Sequence, residues 1–150
     1  MKRLLCILIL VVSLMYLYAR YIEPNNLKAN EYSISSETLP DSYNNFKIVQ
    51  FSDLLYNNDY NKKNIDELIK KINEYNPDLV IFNGNLISNN YQINDEDKSY
   101  LEEKLNEINA NINKIAIYGS NDEENTYQEI MNNSNFIILN NSSKYIFYKS

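Results

Sequence analysis

The chain reads as an α/β domain, a mostly parallel sheet with flanking helices, preceded by an N-terminal transmembrane helix. Three observations predict this. Residues 46–53, 78–85 and 114–122 are hydrophobic runs that each end in a short polar turn. The segments between them carry apolar residues at a 3.6-residue period. Residues 4–19 form an apolar stretch broken only by Ser13.

The N-terminal stretch follows Lys2 and Arg3. At about 1.5 Å per residue it spans roughly 24 Å, slightly short of a bilayer core. Tyr21 and Ile22 extend it if Arg20 snorkels, and Tyr16, Tyr18 and Tyr21 suit an interfacial belt. A cleaved signal peptide competes with this reading, but only Ala19 offers the small residue that cleavage favours. The expectation is an uncleaved single-pass anchor over residues 1–22. The positive-inside rule then puts the N-terminus in the cytoplasm, the membrane as partner, and the domain on the extracytoplasmic side. Cys6 is the sole cysteine, so no intrachain disulfide can form.

Residues 23–45 read as a linker, with Pro24 and a loose alternation at 31–36 (Tyr32, Ile34) that suits an edge strand. Residues 46–51 are the first core strand. Ile65, Leu68, Ile69 and Ile72 fall on one stripe of a helix over 61–75. Residues 79–82 are apolar on both faces, as a central parallel strand requires. Leu101, Leu105, Ile108 and Ile112 mark a second helix with Asp95, Glu96 and Asp97 at its positive end. A third strand is expected at 115–118, a short helix at 126–132, a fourth strand at 136–139 and a fifth at 144–148. Strands and helices in alternation imply right-handed crossovers in a parallel sheet. The first strand is expected at its centre.

With 150 residues and 17.7 kDa, there is room for one modest domain plus an appendage. A net charge of −6 argues against nucleic acid as a partner. Asn is over-used, at roughly one residue in six, which lowers the weight any single Asn deserves. There is no histidine, the commonest metal ligand and acid/base group.

The run Phe46-Lys47-Ile48-Val49-Gln50-Phe51-Ser52-Asp53 resembles the opening strand of calcineurin-like metallophosphoesterases, which ends in Asp-x-His. Asn76-Pro77-Asp78-Leu79-Val80-Ile81-Phe82-Asn83-Gly84-Asn85 resembles their Pro-Asp and Gly-Asp segment. Residues 114–122 lie where the family has Gly-Asn-His-Asp/Glu, and residues 135–140 resemble the strand that follows. The resemblance covers about residues 31–150 with order and spacing intact. It implies residues 46–150 as half of a metallophosphoesterase-like α/β sandwich, of the membrane-anchored bacterial type.

That resemblance also implies a hydrolase with two divalent metals held at the strand ends. Asp53 stands at the first metal ligand, Asn85 at the bridging aspartate and Ser120 at the metal-binding Asn. Leu55 and Asn121 stand where the family has histidines, and Asp122 is a weak further candidate. Later family ligands, including Gly-His-x-His, belong to a second half absent from this sequence.

Two dications about 3.7 Å apart repel by roughly 18 kcal/mol at an effective dielectric of 20, and an Asn amide supplies no bridging charge to offset that. The expectation is a degenerate, truncated and inactive member with no resident cofactor. At most, one weakly held hard cation would sit on Asp53, Asn85 and Asp122. The alternatives are a weak or split hydrolase and an extracytoplasmic interaction module of unknown protein partner.

Overall fold

The computed structural model describes residues 2–19, 27–57 and 62–148. The chain divides into two compact units, Met1–Ile34 and Ser35–Ser150. In the first, helix α1 (Lys2–Leu17) is 16 residues long. Its apolar side chains are exposed all round. At about 1.5 Å per residue α1 reaches roughly 24 Å, against a hydrocarbon core of about 30 Å. No helix among the described residues is long and apolar enough to cross a membrane. The single-pass anchor, and the extracytoplasmic placement that followed from it, are therefore corrected. Tyr21 and Ile22, on which the longer span depended, lie outside the described residues.

The second unit contains a 3-10 turn at Asp41–Tyr43 and seven regular elements: β1 (Ile48–Phe51), α2 (Lys62–Glu74), β2 (Leu79–Phe82), α3 (Asp95–Asn106), β3 (Asn113–Ala116), α4 (Glu124–Asn133) and β4 (Phe136–Ile138). All four strands are parallel, in the order β1-β2-β3-β4. Three crossovers that advance in one direction with one hand place α2, α3 and α4 on one face, where their buried side chains share a single core. Against that face pack Ile65, Ile69 and Ile72 of α2, Leu101 and Leu105 of α3, and Tyr127, Ile130 and Met131 of α4. The sheet meets them with Val80, Phe82, Ala116 and Phe136.

Several expectations differ from what forms. β1 is an edge strand of the described sheet, not its centre, because only β2 pairs with it. Residues 31–36 and 144–148 belong to no ladder. β3 begins at Asn113, two residues earlier than its hydrophobic run, because pairing is made by backbone groups and not by side-chain polarity.

Lys114 shows how a polar residue enters such a strand. Its side chain is buried, and Nζ donates to the Leu105 and Asn106 carbonyls at 3.1 and 3.4 Å. It thus satisfies acceptors that the end of α3 leaves open. Burial pushes its pKa down to about 8. Asp78 is likewise buried. One carboxylate oxygen accepts from Lys47 N at 2.9 Å and the other from Asn111 Nδ2 at 3.0 Å, tying the strand entrances together.

Candidate functional site at the strand ends

The loops after β1, β2 and β3 meet at the carboxyl edge of the sheet, where open parallel sheets place their ligands. The backbone there is held in unusual conformations. Asp53, Leu55 and Asn85 have φ of 56°, 47° and 60°, a region that L-residues enter at a cost of about 1–3 kcal/mol each. Past the strands the first two loops remain joined. Asp53 N donates to Gly84 O and Leu55 N to Asn85 O, both at 3.0 Å, and Tyr56 pairs with Ile87.

The chain's two glycines both lie here. A Cβ on Gly84 would overlap the backbone of Gly119, and one on Gly119 would overlap the Asn85 side chain. Only Gly at both positions lets the second and third loops touch.

Asn85 is the centre of the arrangement. Asn121 N–H, which can only donate, points at Asn85 Oδ1 at 3.0 Å. That settles the orientation of the amide and sends Asn85 Nδ2 to Asp53 Oδ1 at 2.7 Å. Ser52 Oγ donates to the other Asp53 oxygen at 2.6 Å. The Ser52 hydroxyl, and then the Asn85 amide, hold the Asp53 carboxyl below the usual range.

Asp122 closes the third side. Its Oδ2 accepts from Asn85 N at 2.8 Å and Gly119 N at 2.7 Å, and its Oδ1 accepts from Leu86 N at 2.8 Å. One carboxylate thus staples the second loop to the third. Glu123 instead caps α4, accepting from Asn125 N and Thr126 N at 3.2 and 2.8 Å.

The structure thus brings Asp53, Asn85 and Asp122 into one hydrogen-bonded cluster. Asn121 reaches it through its backbone, while its side-chain Oδ1 accepts from Asn89 Nδ2 at 2.9 Å. Ser120 is exposed and its hydroxyl turns to Asn121, 3.3 Å away. Leu55 is partly exposed and supplies no polar atom.

A concavity of about 480 Å³ opens beside the cluster, lined among others by Asn89, Tyr91, Gln92, Asn121 and Asp122. Its rim carries a feature that residue spacing gave no means of finding. Asp97, on the first turn of α3, accepts from the hydroxyls of Tyr56, at 2.6 Å, and of Tyr91. These two bonds hold its carboxylate below the usual range, and burial pushes the Tyr56 hydroxyl up.

The donor set does not fit a pair of divalent ions. The Asp53 oxygen nearest Asn85 faces an N–H donor, both Asp122 oxygens are engaged by backbone N–H groups, and the bridging position presents an amide. Among the described residues no group of three or more His, Cys, Asp or Glu side chains could hold an ion.

A strand-end polar site on a parallel α/β sheet is the architecture of a large class of ligand-binding and hydrolytic domains. Within that class, residues 46–149 match the model of the calcineurin-like phosphoesterase family, and the chain belongs to that family. It is 33% identical over 132 residues to the uncharacterized metallophosphoesterase YkuE of Bacillus subtilis, covering 84% of this chain and 45% of that protein. It is 28% identical over 123 residues to the uncharacterized metallophosphoesterase Cj0846 of Campylobacter jejuni, covering 82% of this chain and 31% of that protein. The chain thus spans less than half the length of the curated relatives it matches.

Proposed function

We propose that this chain is a calcineurin-like phosphoesterase-family protein that does not hydrolyse phosphoesters, its strand-end site serving to hold the fold. One observation carries this reading. The Asn85 amide stands between Asp53 and the third loop and hydrogen-bonds to both. An oxygen that receives an N–H donor has one of its two lone pairs committed, and a donor aimed at it repels a cation approaching along the same line. The negative charge of Asp122 is spent likewise on three backbone N–H groups.

Catalysis in this family requires a water activated by metal and a group that protonates the leaving oxygen. Leu55 and Asn121 supply neither an imidazole nor a carboxylate. General acid/base help alone contributes about 10²–10⁴-fold, and the metal-bound nucleophile more.

The test is hydrolysis of bis(p-nitrophenyl) phosphate by the full chain with added Mn²⁺. No rate above the Mn²⁺ blank is expected. A saturable, Mn²⁺-dependent rate that Asp53→Ala abolishes would replace this reading with that of a working hydrolase.

A further inference from the structure

The concavity of about 480 Å³ beside the strand-end cluster falls within the range of about 300–1,000 Å³ that small-molecule sites occupy. Its wall comes from two segments, residues 87–93 after β2 and residues 121–127 running from the third loop into α4. One amide pair joins them, Asn89 Nδ2 donating to Asn121 Oδ1 at 2.9 Å. That bond uses one end of each amide. An acceptor, Asn89 Oδ1, and a donor, Asn121 Nδ2, are left over. Ser88 Oγ and the Gln92 amide, in the same wall, have no hydrogen-bond partner among the described residues.

Tyr91 supplies an aromatic wall that is already fixed. Its hydroxyl donates to Asp97, and its ring packs T-shaped against Tyr56 at 5.9 Å. A ring held in place in the free protein loses little rotamer freedom on binding. Ile87 and Ile93 add to the apolar part of the lining. Charge decides the class of ligand. Among the described residues of the wall none is Lys or Arg, whereas Asp122 and Glu123 both contribute carboxylates. A phosphate or carboxylate ligand would meet like charge and no counter-ion. An ammonium would gain little. Asp122 already accepts three backbone N–H groups and Glu123 two, so both charges are answered by donors. Each carboxylate keeps lone pairs that a neutral hydroxyl can donate to.

We propose that this concavity binds a neutral carbohydrate through the amides of Asn89, Gln92 and Asn121 and the ring of Tyr91. Every sugar hydroxyl both donates and accepts, which matches a wall that presents amide donors, amide acceptors and carboxylate oxygens together. The C–H groups of a sugar ring suit the aromatic and aliphatic part of the same wall. A purely apolar ligand would instead take water from Ser88, Gln92 and the two free amide ends and return no hydrogen bond. Binding here uses none of the Asp53 or Asn85 side-chain atoms, so the proposal stands whether or not the strand-end site hydrolyses anything.

The test titrates the isotope-labelled full chain with glucose, galactose and N-acetylglucosamine, followed by nuclear magnetic resonance. At least one sugar should shift the side-chain amide signals of Asn89, Gln92 and Asn121 saturably, with a dissociation constant of about 1 mM. Gln92→Leu should weaken that binding by about ten-fold and leave the melting temperature unchanged, because the Gln92 amide is exposed and bonds to no described residue. The phosphorylated form of the sugar that binds should bind about ten-fold more weakly, and its amino form no more tightly. No saturable shift with any of the three at about 100 mM would overturn the proposal. So would shifts that map away from these amides, tighter binding of the phosphorylated or amino form, or a Gln92→Leu chain that binds like the parent.

Discussion

Replacing Asp122 separates a structural staple from a helix-end charge. The two roles differ in magnitude. A carboxylate near a helix N-terminus contributes about 0.3–1 kcal/mol through the dipole. Asp122 instead accepts three backbone N–H groups at 2.7–2.8 Å across two loops. Hydrogen bonds to a charged group contribute about 1.5–3 kcal/mol each, and removing the acceptor strands the donors. The three share one carboxylate and are not additive, and loop donors regain some water. Asp122→Ala is therefore expected to cost about 3–5 kcal/mol. Asp122→Asn keeps the shape but turns an amide N–H₂ toward at least one of the three donors, for a loss of about 2 kcal/mol. Glu123→Ala, which removes only the cap of α4, should cost about 1 kcal/mol. Urea unfolding of the full chain, followed by circular dichroism, measures all three. A loss below about 1 kcal/mol for Asp122→Ala, or one equal to that of Glu123→Ala, would refute the staple.

Asn85→Asp exchanges the donor facing Asp53 for a second carboxylate. The melting temperature should fall at pH 7 and recover with millimolar Mn²⁺ or Ca²⁺; a variant that melts like the parent with and without metal would contradict the role given to the amide. Lys114→Met removes a buried ammonium while leaving two helix-end carbonyls, and should stabilise the chain by about 1–2 kcal/mol at pH 7. The sign with pH follows from a folded pKa of about 8 against 10.5 unfolded. Between these values the unfolded chain binds more protons, so the parent gains stability on Lys114→Met as pH rises, by up to about 3 kcal/mol. Parallel unfolding curves at pH 7.5, 9 and 10.5 measure it, and a constant difference would contradict the burial argument.

The sheet was legible because its strands announce themselves twice, as apolar runs and by their spacing from the amphipathic stripe of Ile65, Leu68, Ile69 and Ile72. The placement of β1 was not, because an edge and a centre differ only in what pairs beyond them. A strand with Ile48 exposed on one side reads the same in either place. The meeting of Asp53, Asn85 and Asp122 follows from strand ends sharing an edge. Their bonding could not be read, since the Asn85 orientation depends on the Asn121 backbone N–H, and the Asp122 staple on Gly84 and Gly119 permitting contact. In a chain so rich in Asn, no composition signal marks the one amide that matters. The apolar stretch at 4–19 misled because it reaches only roughly 24 Å by itself, and the anchor depended on Tyr21 and Ile22 lengthening a helix that ends as α1 at Leu17.

The central claim is that hydrogen bonds, rather than ions, hold the three strand-end loops together. The measurement that meets it most directly is the melting temperature of the full chain, stripped with EDTA and then given Mn²⁺. A site filled at 100 times its dissociation constant would add about 2.7 kcal/mol of stability, a rise of roughly 10 °C for a domain of this size. The expected result is the same melting temperature with EDTA and with Mn²⁺. A rise on adding Mn²⁺ that Asp53→Ala removes would contradict it.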